Sequence, residues 1–157
     1  VNHEHHYTVD VAWLGNRGTG TSGYREYGRE NTISAAGKHP IDASADRTFY
    51  GNADRWNPEE LLVAALSECH MLSFLHVAVQ HGVVVTDYTD AAEGTMLQVG
   101  DGGHFTGVTL HPVVTVTEPI DDGLLAALHH EASQKCFIAN SVNFPVRHEP
   151  RVIVAAH

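Results

Sequence analysis

The chain has 157 residues, 43% of them hydrophobic and 18% charged, enough for one domain with a real core and too many for a small disulfide-held scaffold. Nine basic residues against nineteen acidic ones give a formal charge of −10, which leaves no footprint for nucleic acid and argues against an anionic membrane surface. The opening run Val1–His6 has no basic segment followed by an apolar core, so no signal peptide is expected, and a chain with two cysteines suits a reducing cytoplasm.

Tyr7, Val9, Val11 and Trp13 alternate with polar or small residues, the period of a half-buried strand. The glycine-rich run from Gly15 to Gly23 ends it. A second strand is expected from Tyr24 to Ser34, a turn at Gly37-Lys38, and a short third strand opening at Ile41. Ala43 to Arg55 has no clear period and reads as loop.

Asn57 then caps a helix, with Pro58 in the first turn, where its missing N–H costs nothing, and Glu60 placed to complete a capping box. The helix is expected to run to His81 and to close at Gly82. The stretch from Leu61 to Val85 is apolar enough to raise the question of a membrane span. Glu68, His70, His76, Gln80 and His81 interrupt it, and ionisable groups in a bilayer are costly, so it reads as the buried centre of a soluble fold. It is also apolar on more faces than one small sheet can cover, which predicts a homodimer with this helix near its centre. Strands follow around Val83 to Glu93, Gly94 to Val99 and Gly107 to Thr117, where Pro112 predicts an edge position or a bulge. A second helix starts at Asp121-Asp122 and runs through Leu124, Leu125, Leu128 and Ala132 to about Cys136, and Arg151 to Ala155 forms a last strand. The order predicts one α+β domain over residues 1–157, not a doubly wound sheet.

The two cysteines carry the chemical question. A thiol in an apolar helix is most often core filler, and around Cys69 the neighbours Leu62, Ala65, Leu66 and Leu72 would raise its pKa. Cys69 also lies well beyond the first helical turn, out of reach of the macrodipole. A reactive Cys69 therefore needs a cationic side chain brought to it, from Arg17, Arg25, Arg29 or Arg55, and that cation needs a carboxylate to hold it, which Glu59 supplies. Ten residues of straight helix span roughly 15 Å, so one arginine serves both Glu59 and Cys69 only by stretching or with a kinked helix. His70 projects from a different face than Cys69 and reads as structural or surface. Thirteen histidines raise the question of a metal, but neither HExxH nor CxxC spacing occurs, and no metal or organic cofactor is expected. A Cys–His hydrolase would need an oxyanion hole and an orienting third residue that cannot be placed.

The run from Asn57-Pro58-Glu59-Glu60-Leu61 through Ser67-Glu68-Cys69-His70 resembles the N-P-E-x-L…C signature of the OsmC/Ohr family of thiol peroxidases. The likeness extends to Ser133-Gln134-Lys135-Cys136, at the position of that family's second cysteine. The resemblance implies an OsmC-like α+β fold, mostly antiparallel sheets around two long helices, in an intertwined homodimer with sites at the subunit interface. It implies that Cys69 attacks the O–O bond of an organic hydroperoxide and becomes a sulfenic acid, and that Cys136 condenses with it to a disulfide. Glu59 would orient an arginine that activates Cys69, and a small dithiol of the dihydrolipoamide kind would re-reduce the disulfide. Counting back from Ser34 and Gly37 assigns that arginine to Arg29, whereas matching Arg17-Gly18-Thr19-Gly20 assigns it to Arg17. His70, where many members carry an aromatic or apolar residue, and Glu68 depart from the pattern. A non-catalytic ligand-binding module on the same fold is the alternative reading.

Overall fold

The computed structural model describes residues 2–156; Val1 of the N-terminal run and His157 lie outside them. The chain divides into two compact units, one ending at Leu61 and the other beginning at Leu62.

The first unit carries an antiparallel sheet of β1 (Asp10–Trp13), β2 (Asn31–Ser34) and β3 (Ile41–Ala43), with β2 in the middle. Val11 faces Ile33, which in turn faces Ile41. Both of the first two strands are shorter than their residue patterns predict. Tyr7 to Val9 continue the alternation of β1, but β2 stops at Ser34 in a turn closed by the Lys38 N–H on the Ala35 carbonyl at 3.1 Å, so no ladder partner is left for them. Tyr24 to Glu30 lie outside β2 because a turn at Gly23, closed by the Glu26 N–H at 3.0 Å, folds the tyrosines onto Arg29. The expected loop from Ala43 to Arg55 contains a single 3₁₀ turn, Arg47–Phe49, capped by Asp46.

Helix α1 (Pro58–Gln80) starts at the end of the first unit and continues into the second. At its C-terminus the Val83 N–H bonds the Ala78 carbonyl at 2.9 Å and the Gly82 N–H the Val79 carbonyl at 3.2 Å. These are the two bonds of a Schellman motif, and Gly82 takes the positive φ of 68° that the motif requires.

The second unit holds two mixed sheets. In one, β4 (Val85–Asp90) pairs antiparallel with β7 (Pro112–Val116), which pairs parallel with β9 (Arg151–Val154). In the other, the hairpin of β5 (Glu93–Val99) and β6 (Gly102–Leu110) is extended by β8 (Val146–His148), parallel to β6. The run from Gly107 to Thr117 is thus two strands divided at His111. Pro112 sits neither at an edge nor in a bulge: it is the first residue of a central strand, a place where no ladder N–H is demanded of it. Helix α2 (Asp122–Lys135) is capped by the Asp121 carboxylate, which accepts from the Leu124 N–H at 2.7 Å.

Within this unit α1 buries one stripe, Leu66, His70, Phe74, Val77 and Ala78, at the three-to-four spacing of a helix face. Phe74, Val77 and Ala78 pack with Val114, Val116, Leu128 and Ala132, while Leu66 packs with Val108 and Leu110 in a second cluster. The helix is long and apolar enough to cross a membrane by length and composition, yet it is not enclosed on all sides here: Leu72 is 56% and Val79 76% exposed.

Candidate active site

The start of α1 is fixed by a reciprocal capping box. Asn57 Oδ1 accepts from the Glu60 N–H at 2.8 Å, and Glu60 Oε1 accepts from the Asn57 N–H at 3.2 Å. With Asn57 and Glu60 so used, Glu59 is free of capping duty, and its Oε2 is buried without a hydrogen-bond partner. Among the described residues no ion pair joins Glu59 to an arginine. A buried carboxylate oxygen left bare costs more than about 1 kcal/mol, so a donor that reached Glu59 Oε2 would be stabilising.

The four candidate arginines differ in how far they are committed. Arg29 lies under tyrosines, its guanidinium carbon 3.9 Å from the centre of the Tyr27 ring and 4.6 Å from that of Tyr24, and it donates to the Tyr24 carbonyl at 2.6 Å and to the Tyr27 carbonyl. Arg25 donates to the Tyr50 hydroxyl at 2.9 Å. Arg55 donates to the Ala43 and Asn31 carbonyls at 2.9 and 3.1 Å. Arg17 is exposed on the turn that Asn16 organises by accepting from the Gly18 and Gly20 N–H groups, and among the described residues it makes no hydrogen bond.

The two thiols are in the second unit, and both are free. Cys69 is half-buried on α1. Cys136 ends α2 and is 1% exposed; its carbonyl accepts from Asn140 and its Sγ from the Ala139 N–H at 3.4 Å. Burial pushes the Cys136 thiol up to about 11 against the pull of the Ala139 N–H, and the neighbouring Cys69 thiol raises it further. The fold therefore brings together the two cysteines, 67 positions apart in sequence, that the signature paired.

Beside them is a cluster of imidazoles that the sequence did not predict. His70, read above as structural or surface, is 2% exposed, and His129 is fully buried. His70 Nε2 and His129 Nδ1 are 3.0 Å apart. With ring planes 8° apart and centroids 5.3 Å apart, the two rings meet edge to edge through that bond. Phe74 stacks on His129 at 4.2 Å, and His148 lies 5.6 Å from His70. Burial holds His70 at about 4 and His129 at about 3, so both are neutral at pH 7. A cavity of about 170 Å³ is lined by Leu66, Leu110 and Phe144 together with His70, His148 and Cys136. Among the described residues no set of three His, Cys, Asp or Glu side chains is arranged to hold a metal ion.

The family model for OsmC-like proteins matches residues 51–151, more than half of the chain. The chain belongs to the OsmC-like family. Its fold is that of an OsmC-like protein of unknown function from Vibrio cholerae O1 biovar eltor, with a TM-score of 0.82 and 32% identity over 94% of this chain and 99% of that one. An organic hydroperoxide resistance protein from Legionella pneumophila shares the fold at 22% identity and a TM-score of 0.68, over 95% and 98% of the two chains. One from Elizabethkingia anophelis, solved with thiocyanate bound, does so at 20% identity and 0.69, over 98% and 100%. No curated protein matches the chain.

In this OsmC-like chain, part of the imidazole cluster was within reach of sequence reasoning. His129 falls on the stripe Leu125, Leu128, His129, Ala132 that α2 buries, a helical periodicity that marks it as a core residue. His148 carried no such signal, because its strand is three residues long and held only by the parallel pairing with β6. Leu66 and Leu72, grouped above as neighbours of Cys69 on an apolar helix, have separate fates: Leu66 lines the cavity and Leu72 is exposed.

Proposed function

We propose that the chain is a cysteine-based peroxidase that reduces organic hydroperoxides to alcohols, with a peroxide-defence role. The observation that carries this reading is the pair of free thiols brought together inside an OsmC-like fold, one on the long apolar helix and one at the end of α2. The hydroperoxide-resistance proteins that share the fold support the substrate class. Cys69, the more exposed thiol, attacks the O–O bond; the alcohol leaves and a sulfenic acid remains. Cys136 then displaces the sulfenic oxygen as water, forming a Cys69–Cys136 disulfide, and a small dithiol returns both thiols by exchange. No metal or organic cofactor takes part in this cycle.

Glu59 orients the arginine that draws Cys69 towards its thiolate. Of Arg29 and Arg17, the side-chain contacts favour Arg17: Arg29 already spends donors on two carbonyls beneath tyrosine rings, and Arg17 has all of its own to give. The exposed apolar residues Leu72 and Val79 on α1 favour a homodimer, in which a second copy covers that helix and brings its own arginine. The test is mass spectrometry of the intact protein before and after one equivalent of tert-butyl hydroperoxide. The expected result is the loss of two hydrogens, assigned to Cys69–Cys136 by peptide mapping, reversed by a dithiol and absent in Cys69→Ser. Two titratable thiols after the peroxide has been given time to react would sink the reading.

A further inference from the structure

The edge-to-edge imidazole pair has two possible proton arrangements, and burial discriminates between them. If His70 Nε2–H donated to His129 Nδ1, the proton of neutral His129 would sit on its Nε2, which is buried without a partner. If instead His129 Nδ1–H donates to His70 Nε2, the atom left bare is an acceptor. A buried orphan N–H is the rarer and costlier of the two, so the second arrangement wins. His70 then carries its own proton on Nδ1, the nitrogen not committed to His129, and His70 lines the cavity that also holds Cys136.

We propose that His70 is a hydrogen-bond donor to Cys136, its Nδ1–H reaching the sulfur through water in the shared cavity and favouring the thiolate that attacks the Cys69 sulfenic acid. The proposal rests on the thiol-peroxidase reading above and adds to it a positioning pair, His70 aligned by His129. A polar cavity of about 170 Å³ has room for the bridging water.

In the step served, the S–O bond of the Cys69 sulfenic acid breaks as the S–S bond forms. The proton lost from Cys136 ends on the departing oxygen, which leaves as water. Cys136 is oxidised by one electron-equivalent and Cys69 is reduced by one, so no outside oxidant or reductant is needed. The step needs assistance because burial raises the Cys136 thiol above its ordinary value and so holds it protonated. A neutral donor suits an enclosed site, since it stabilises an anion without placing a charge in the core. The other titratable groups around the pair are His148 and Asp90, which act on His70, and His130, which acts on His148. Cys136 has Cys69 and the Ala139 N–H beside it.

Three measurements test this. In ¹⁵N spectra of the resting protein, His70 should carry its proton on Nδ1; a proton on Nε2 overturns the proposal without touching the peroxidase reading. In a Cys69→Ser background, His70→Leu should raise the Cys136 thiol pKa by half a unit or more, and His70→Gln, which keeps an N–H donor, should restore most of it; an unmoved pKa overturns the proposal. In single-turnover kinetics with tert-butyl hydroperoxide, His70→Leu should let a dimedone-trappable sulfenic acid accumulate, with disulfide formation slowed at least tenfold relative to peroxide consumption. Equal slowing of both steps assigns His70 a structural role and also overturns it. If His70→Leu does not fold, the ¹⁵N result on the unaltered protein decides. If the unaltered protein forms no disulfide at all, it is the peroxidase reading that fails.

Discussion

Arg17 and Arg29 are twelve residues apart in sequence and hold guanidinium groups in opposite circumstances. A guanidinium roofed by tyrosines and bonded to two carbonyls organises its own loop, and removing it should loosen that loop first. A guanidinium that makes no hydrogen bond among the described residues, and feels only the charge of Glu30, is available for a carboxylate and a thiolate elsewhere. Arg17→Ala should therefore lower kcat/KM for tert-butyl hydroperoxide by about a hundredfold or more, the usual cost of losing a donor aimed at developing charge. It should do so with little change in the denaturation midpoint, whereas Arg29→Ala should lower the midpoint with the smaller kinetic effect. Steady-state rates and urea titrations on both variants distinguish them, and the reverse pattern would return the role to Arg29. Counting back from Ser34 points to Arg29 and matching Arg17-Gly18-Thr19-Gly20 points to Arg17, because spacing is a one-dimensional measure. Which arginine has donors to spare depends on where Tyr24 and Tyr27 fold, and no spacing records that. The Asn57–Glu60 capping box was legible for the opposite reason: it is a local pattern.

At the scale of elements, polar links of two kinds join α1 and α2, among them a surface bond from Lys135 Nζ to Gln80 Oε1 at 3.2 Å. On the surface, Glu131 of α2 meets His81, just past the end of α1, at 2.8 Å and Lys135 at 3.0 Å; in the core, His70 of α1 meets His129 of α2. The buried link sets the response to acid. Both imidazoles titrate below the ordinary histidine value, so the unfolded chain takes up protons at a higher pH than the folded one does. The stability they allow is complete above about pH 6.5 and is lost as the pH falls from there towards about 4. The slope should be about 1.4 kcal/mol per pH unit for each imidazole that must stay neutral. Urea midpoints should thus drop between pH 7 and pH 5, and a midpoint that holds or rises would contradict the buried-pair account. Both helices were legible in the sequence nearly to the residue, since caps and the 3.6 period are strong signals. The strand pairing was not: the alternation from Gly107 to Thr117 runs on through Pro112, and only the division at His111 shows that its halves serve different sheets.

At the scale of the whole molecule, the apolar face of α1 predicts association. Sedimentation of the unaltered protein should give twice the chain mass, and Val79→Glu, at a residue 76% exposed in the single chain, should shift it to the chain mass while leaving the far-ultraviolet circular dichroism unchanged. A monomer at micromolar concentration would remove the dimer, and with it the delivery of an arginine from a second copy. The α+β class and the expectation of a dimer came from strand order and from a helix too apolar for one sheet, which are properties of composition along the chain. The parallel pairing of β8 with β6 and of β9 with β7 could not be read, because the short strands after α2 look alike until the sheets exist. His111 stands alone between those sheets, one residue from the end of β6 and one from the start of β7, with its N–H on the Asp90 carboxylate at 2.6 Å while the same carboxylate takes the Ser67 hydroxyl of α1. A joint of one residue has no slack. Strain introduced into either sheet passes through this joint to the other and to the helix, so the ends of β6 and β7 that meet at His111 and the Ser67 turn of α1 should open to solvent exchange together.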